Sequence, residues 1–435
     1  MKDDQKAVKE KFDRVATELK LNVDTSKKGA SPLNHAIVGF GKELHFELEK
    51  PTFNIDLIGR AIDRLKIDDT GVENTMHALA EVVDHYSKVI SKDRKLLIVL
   101  VTDESGDDGD FVEEAHQAVV SLKVPIYVIG RQSLFGYGRA HLRYVDPVTK
   151  DVYWPAIQRG PETADIELLQ WDGLHERWDE QPSGFAPYEL ARLAKDTGGI
   201  YFLLPSEESM RIHKQEALYS MKTLKEYMPD YGSRADYQAK RSQSELRRTL
   251  NDFITTISGT SYRLSFPVNL DELMPALVEA GQTATLRLDT LLKMQKRLED
   301  LAGARDREND KRWQAHYDLM LAQLVAYQVK AFEYRACLKE IRDKKPKPSK
   351  MPNEKLSVWW QLGHSNQPKA DKEQTAKKYA EATALFKKVL ERHPNTPWAD
   401  LAQAEMARGF SVGWGEASHV PNPAAAGREK FVPKY

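Results

Sequence analysis

The sequence has a single cysteine, Cys337, among its 435 residues. One cysteine excludes an intramolecular disulfide framework and a zinc site built from several thiolates. Long apolar runs are also missing, since none approaches the ~18–20 residues that a membrane span needs. The first twelve residues, MKDDQKAVKEKF, lack the apolar core of a signal peptide. We therefore predict no membrane span in this chain, and a soluble, cytoplasmic protein is the default expectation.

An excess of either charge is absent as well. The chain has 64 Lys and Arg against 65 Asp and Glu, which gives a net charge of −1. A balanced chain has no overall field that favours nucleic acid or an anionic membrane, so we expect no nucleic-acid partner. The sequence also contains no H-x-x-x-H, G-x-S-x-G or G-x-x-x-x-G-K-[ST] pattern. These absences predict a protein that is not an enzyme.

What the first half does contain is an alternation of apolar strands and amphipathic helices. An N-terminal helix is predicted for Gln5–Leu19. The strands and helices that follow are predicted at Leu33–Gly41, Lys42–Glu49 (an edge strand), Ile55–Leu65, Asp68–Ile90 (a turn and a helix), Leu96–Thr102, Phe111–Leu122, Val124–Gly130, Tyr188–Gly199 and Ile200–Pro205. Continuous apolar strands separated by helices predict an α/β fold, a doubly wound and mostly parallel sheet covered on both faces.

A long insertion, residues 131–186, interrupts this alternation and is rich in aromatic residues. Within it, Arg143–Trp154 is predicted to form a hairpin around Asp146-Pro147. Exposed aromatic side chains in a loop often anchor a partner, so Trp154, Tyr153 and Tyr137 are candidate partner-binding residues. The alternative is that they form a small core beneath the loop.

The rest of the chain is predicted to be mostly helical. We divide the sequence into an α/β domain (1–205), a helical region with a long hairpin built from Leu286–Leu301 and Lys311–Ile341 (206–343), a Pro- and Lys-rich linker (344–370), a helix pair (371–410) and a tail (411–435) that is expected to be loose from Ala424 onward. The helix pair is similar to a tetratricopeptide unit. One such pair cannot bury its apolar face alone, so it needs the preceding helices or a partner.

Asp103 is the main candidate for a functional side chain. It follows the apolar run Leu96–Val101, at the carboxyl end of a predicted parallel strand, which is the edge where sites form in such sheets. One interpretation makes Asp103 a metal ligand, either directly or through water. The other makes it an acid that is stabilised by the start of the following helix.

The first half resembles a von Willebrand factor A-type domain. The resemblance is carried by LNHAIVGFG, KELHFELE, DTGVENTMHAL, LLIVLVTDESGDD, VPIYVIG and LAKDTGGIYFLL, and it covers roughly residues 1–205. It implies a Rossmann-like fold and a metal-ion-dependent adhesion site. In that site Mg²⁺ or another divalent cation is held by a D-x-S-x-S motif, a Thr in a second loop and an Asp in a third, and it coordinates a carboxylate of a protein partner.

Carried onto this chain, the resemblance places Asp103 as the third-loop Asp and Glu73 at the position of the second-loop Thr, with Thr70 nearby. A second interpretation of these two residues is a capping box, with Thr70 as N-cap and Glu73 three residues later. The D-x-S-x-S motif is absent. We expect Met1 to be internal to a longer protein whose first strand, and any export signal, lies upstream; the alternative is a domain that lacks its central strand.

The sequence therefore predicts a non-enzymatic binding or scaffold protein that recognises a protein partner, with an incomplete divalent-cation site. Two alternatives stay open. One is a metal-dependent hydrolase or phosphotransfer enzyme that uses the acids around Asp103. The other is a degenerate A-type fold that serves as a structural platform for the C-terminal helices.

Overall fold

A computed structural model describes residues 33–66, 68, 70–178, 180–204, 219–370 and 372–434 of the chain. The helix predicted at Gln5–Leu19 lies outside the described residues. The described part begins with two short antiparallel strands, β1 (Val38–Gly39) and β2 (His45–Phe46), followed by helices α1 (Ile55–Arg64) and α2 (Thr75–Ser87). The edge strand predicted over Lys42–Glu49 is thus a two-residue pairing.

The central elements follow in the predicted order. They are β3 (Ile98–Val101), α3 (Val112–Ser121) and β4 (Ile126–Gly130), and then, within the insertion, β5 (Arg139–His141), β6 (Tyr144–Val145), β7 (Val152–Tyr153) and β8 (Ala156–Gln158). The predicted hairpin around Asp146-Pro147 is confirmed, because β6 pairs antiparallel with β7. After the insertion come α4 (Tyr188–Asp196) and β9 (Tyr201–Leu203).

The parallel sheet has the order β3-β4-β9. Its apolar strands bury one face, where Leu100 and Val128 pack with Met76, Val119 and Leu193 of the three covering helices α2, α3 and α4.

On the opposite face the side chains of Val99 and Phe202 are 54% and 49% exposed. Among the described residues, β4 is the only strand that pairs with β3. Cover on the second face and a further strand beside β3 therefore stay predictions.

The C-terminal half contains both helices and strands. They are α5 (Met221–Leu224), α6 (Arg234–Gln243), α7 (Glu245–Ile257), β10 (Ser265–Pro267), α8 (Leu270–Asp300), α9 (Ala302–Arg307), α10 (Lys311–Lys344), β11 (Ser357–Ser365), α11 (Lys372–Arg392), α12 (Pro397–Arg408) and β12 (Ser411–His419). The two predicted long helices are confirmed as α8 and α10, which pack against each other. Helix α8 begins earlier than predicted, where Asn269 accepts a hydrogen bond from the Asp271 N–H.

Two segments of the C-terminal half differ from the prediction. The segment 344–370, predicted as a linker, contains β11, and the segment 411–435, predicted as a tail, contains β12. These strands pair antiparallel over nine residues each and form a three-stranded sheet with β10. The physical reason is an alternation in which Val358, Trp360 and Leu362 turn inward and are buried.

The largest core crosses the boundary that we predicted at residue 205. Phe135 and Trp171 of the insertion pack in one cluster with Leu250, Leu277 and Trp398 of the C-terminal half. The rings of Phe135 and Trp398 meet edge to face, with centroids 4.7 Å apart. The insertion is therefore built into the core that the helices share. Among the helices of the described residues, none is both long and apolar enough to cross a membrane.

Candidate cation site

Two loops meet at the carboxyl edge of the parallel sheet. One loop follows β3 and carries Asp103, Glu104 and Asp107, and the other precedes α2 and carries Glu73. The Asp107 N–H donates to the Glu73 carbonyl (2.8 Å), and the Glu73 N–H donates to Asp107 Oδ2 (3.0 Å). This reciprocal pair of hydrogen bonds holds the two loops together, so Glu73 and Asp103 lie at the same edge.

The hydroxyl of Thr102 joins the acids of both loops. Its Oγ1 accepts a hydrogen bond from the Glu104 N–H (3.1 Å) and lies 3.4 Å from Glu73 Oε2, to which it can donate. Thr102 and Glu104 are both buried. Burial brings these carboxyl groups close together where little water screens them.

The crowding of acids changes their titration. Burial, and then repulsion from Asp103, raises the pKa of Glu73 to about 7, against a small opposing effect of the Thr102 hydrogen bond. Burial, and then repulsion from Glu73 and Asp103, raises the pKa of Glu104 to about 8, although the Gln158 N–H donates to its carboxylate. A cation at this edge would reverse both effects, because it favours the ionised form.

Two buried oxygen atoms at the site make no hydrogen bond. They are Oδ1 of Asp103 and Oγ1 of Thr75, the first residue of α2. Buried polar atoms nearly always have partners, so each such atom needs an explanation. A carboxylate oxygen beside a second carboxyl group is the donor type that Mg²⁺ and Ca²⁺ prefer, so the residues at this edge fit a divalent cation.

Thr70, the third predicted ligand, has a different neighbour. It is exposed, and its N–H donates to Asp68 Oδ1 (2.8 Å). The alternative capping box of Thr70 and Glu73 is wrong, because α2 begins only at Thr75 and has Asn74 as N-cap.

Asp108 performs the capping instead, across the loop. Its carboxylate accepts the N–H groups of Met76 (3.0 Å) and His77 (2.8 Å) in the first turn of α2, and it also contacts His77 Nδ1 (2.9 Å). The sequence could not reveal this role, since Asp108 lies more than thirty residues after the first turn of α2, which it caps. Glu104 and Thr75 were also missed; only the density of acids after β3 pointed to Glu104.

The carboxylates at this edge do not form a tight set. Among the described residues, three ligand atoms come within 4.8 Å of one another only at Asp172, His175 and His364. The described acids of this edge therefore do not complete a coordination sphere by themselves.

The candidate partner-binding residues are half-buried in the insertion. Tyr137 packs on the small core of Leu134, Ala140, Leu142 and Ile157, and burial raises its pKa. Tyr153 lies on β7 with its ring 6.4 Å from that of Tyr144. Trp154 follows it and is half-buried. Their role in partner binding stays a prediction.

A parallel sheet with helices on one face and acids at its carboxyl edge places this part of the chain in the α/β class. The family model of the von Willebrand factor type A domain matches residues 6–141. Residues 6–141 thus match a von Willebrand factor A-type domain, as the resemblance predicted for the first half. The match ends inside the insertion, although β9 continues the same sheet. No curated protein and no solved structure resembles the chain closely enough to count as a match.

Proposed function

We propose that the chain is a non-enzymatic binding or scaffold protein whose acidic edge binds a divalent cation and, through it, an acidic group of a protein partner. The observation that carries the proposal is the buried Oδ1 of Asp103, which has no hydrogen-bond partner and lies beside Glu73. A-type domains commonly mediate protein interactions, and the family resemblance implies this mode of recognition.

Asp103 and Glu73 are the residues that would hold the cation. Mg²⁺ takes one or two carboxylates and keeps several waters, one of which a partner carboxylate can replace. Two acidic ligands strengthen cation binding but leave less positive charge to attract the partner. We therefore expect the partner to depend also on contacts around the edge.

Calorimetry with MgCl₂ on the full chain tests the cation. The unmodified chain should bind Mg²⁺, and Asp103→Asn should bind it at least about tenfold more weakly, because the variant loses the charged ligand. Asp110→Asn is the matched control, since Asp110 is an exposed acid on the same loop. Equal Mg²⁺ affinity in Asp103→Asn and the unmodified chain would reject Asp103 as a ligand.

One observation favours a second candidate function, metal-dependent hydrolysis or phosphoryl transfer. A carboxyl group with a pKa of about 7, such as that of Glu73, is suited to general acid–base catalysis near neutral pH. The decisive assay measures hydrolysis of phosphate mono- and diesters with Mg²⁺ or Mn²⁺. Turnover that disappears in Glu73→Gln would establish this function, and no turnover with either ion would leave the binding function preferred.

A further inference from the structure

A second group of ligand-type side chains lies away from the acidic edge. Asp172 and His175 belong to a turn of the insertion, and His364 lies on β11, almost two hundred residues later. One ligand atom from each of the three comes within 4.8 Å of the other two. Because the residues come from separate parts of the chain, no local spacing in the sequence marks them.

The carboxylate of Asp172 is oriented before any ligand arrives. Its Oδ1 accepts the N–H groups of Leu174 (2.9 Å) and His175 (3.0 Å) within the turn. Its Oδ2 is left facing the two rings, 3.2 Å from His364 Nε2 and 3.5 Å from His175 Nδ1. Hydrogen bonds that fix one oxygen and present the other are the usual support of a metal ligand.

The two imidazole rings are also held at the site. His175 Nδ1 donates to the Glu176 carbonyl (2.8 Å), which orients the ring and leaves Nε2 as its metal-binding nitrogen. The ring centroids of His175 and His364 are 5.9 Å apart and the planes are nearly perpendicular. Among the described residues the buried Nδ1 of His364 makes no hydrogen bond, and Asp172 is the hydrogen-bond partner that holds this ring through Nε2. Two imidazoles and one carboxylate are a donor set that Zn²⁺ accepts.

Two neighbouring cations limit which ion the site can take. Arg408 Nη1 lies 3.5 Å from Asp172 Oδ2, and Lys330 Nζ donates to the Asp172 carbonyl. The charge of Lys330 is balanced by Glu405, 3.2 Å away. The contact of Arg408 is long enough for an ion to displace it. Positive neighbours disfavour Mg²⁺ or Ca²⁺, which are held mainly by charge, more than an ion bound through imidazole nitrogens.

We propose that Asp172, His175 and His364 bind one Zn²⁺ or a similar transition-metal ion, which joins the insertion to the C-terminal sheet. Three protein ligands leave the fourth tetrahedral position for water. His364 also lines a surface hollow together with Gly363, Gly413 and Gly415. This site is independent of the acidic edge and of the function proposed for it.

The test is calorimetric titration of the full, metal-free chain with ZnCl₂, together with the visible absorption of the Co²⁺-loaded chain. We expect the unmodified chain to bind one Zn²⁺ per chain at this site. His175→Ala and His364→Gln should each lower the Zn²⁺ affinity by roughly 100-fold or more, since losing a ligand costs at least as much as losing its supporting hydrogen bond. The Co²⁺ spectrum should lose its tetrahedral bands in both variants.

Three features keep the test decisive. His175 is 42% exposed, so His175→Ala is compatible with the fold even if His364→Gln disturbs β11. His419→Ala, an exposed histidine on β12, is the matched control and should bind Zn²⁺ as the unmodified chain does. Asp103→Asn should also leave Zn²⁺ binding unchanged. The proposal is overturned if the unmodified chain binds no Zn²⁺, if His175→Ala binds it equally well, or if Asp103→Asn abolishes it.

Discussion

Glu104 shows how crowding of acids at the carboxyl edge of the sheet affects the stability of the folded chain. It is buried, and Glu73, Asp103 and Asp107 all repel its charge. Its pKa of about 8 in the folded chain lies above the ordinary value of 4.5 that it has when unfolded. The folded state therefore binds more protons than the unfolded state between these values, and this group makes stability fall as pH rises from about 4.5 to about 8.

We expect Glu104→Gln to remove that fall. At pH 9 and without divalent cations, the variant should gain about 1–3 kcal/mol in the free energy of unfolding, since one pKa unit corresponds to ~1.4 kcal/mol. At pH 5 the gain should be much smaller, because the carboxyl group is still neutral in the folded chain and the fall in stability has only begun. Urea denaturation at the two pH values measures this. Glu114→Gln, an exposed acid on α3, is the control. A gain that is equal at pH 5 and pH 9 would show that charge repulsion is not the cause.

A second prediction for a single residue concerns Asp108, on the loop after β3. As the cap of α2 it accepts the N–H groups of Met76 and His77. Asp108→Ala should cost about 1–2 kcal/mol of stability, the range of a lost N-terminal cap. Asp110→Ala, which removes an exposed acid two residues later, should change stability by less than about 0.5 kcal/mol. Thermal denaturation of the two variants checks the difference, and equal losses would contradict the capping role.

At the scale of elements, the pattern of apolar residues predicted the strands and helices that depend mainly on neighbouring residues. The apolar run Leu96–Val101 and the amphipathic stretch Phe111–Leu122 became β3 and α3 with ends shifted by one or two residues. Strand β11 was hidden, because the Pro- and Lys-rich stretch before it is typical of a linker. The alternation of Val358, Trp360 and Leu362 was visible, but nothing local showed that β10 and β12 would pair with it.

The same limit applies to the candidate sites. Asp103 was found because strand end and acid are adjacent in sequence. Glu73 needed the family resemblance, and the capping-box interpretation of Thr70 was wrong because α2 begins only at Thr75. The group of Asp172 and His364 depends on packing between the insertion and a distant strand, which no spacing records.

Packing of α10 against α12 supplies a prediction at this scale. Lys330 is fully buried, and its Nζ lies 3.2 Å from Glu405 Oε2, while Tyr327 also donates to Glu405 (3.0 Å). Lys330→Met should destabilise the chain by about 3–5 kcal/mol, because it leaves a buried carboxylate without its counter-charge. The double variant Lys330→Met/Glu405→Gln should be more stable than Lys330→Met alone, since the amide needs no counter-charge.

Urea denaturation of the single and double variants forms a cycle that isolates this pairing. Lys293→Met is the control, because Lys293 forms an exposed pair with Asp289 four residues earlier on α8. We expect a change within about 0.5 kcal/mol for it. If the double variant were less stable than Lys330→Met, the loss in the single variant would come from packing rather than from charge.

For the whole molecule, the important feature is that the two halves are joined at several places. The insertion shares its core with the C-terminal helices, and buried Arg312 of α10 binds Glu162 (2.7 Å) and Glu167 (2.6 Å) of the insertion. Removing one partner of a buried ion pair destabilises a protein more than the intact pair stabilises it. These contacts therefore hold the helical half and the α/β half in one arrangement. The acidic edge therefore belongs to a unit in which the described parts of the two halves pack together.

The segment after β12 adds another connection. Arg428 binds Asp146 in the hairpin turn through Nε (2.9 Å) and Nη2 (2.8 Å). Burial alone would raise the pKa of Asp146, but the N–H groups of Thr149 and Val148, together with Arg428, hold it at about 2. The chain then continues to Lys434, which lies directly against Gly71 beside the acidic edge.

The contact of Lys434 with Gly71 predicts that residues 420–434 shield the turn before α2 from hydrogen exchange. Arg428→Ala removes the bidentate ion pair, so hydrogen exchange should accelerate in residues 420–434 and also in the turn 70–74, because both lose the cover that the other provides. Lys430→Ala is the matched control, since Lys430 is exposed and contacts only the ring of Phe431 among the described residues. Mass spectrometry of exchanged peptides separates the two segments. Faster exchange in the tail with an unchanged turn would show that Lys434 lies beside Gly71 without protecting it.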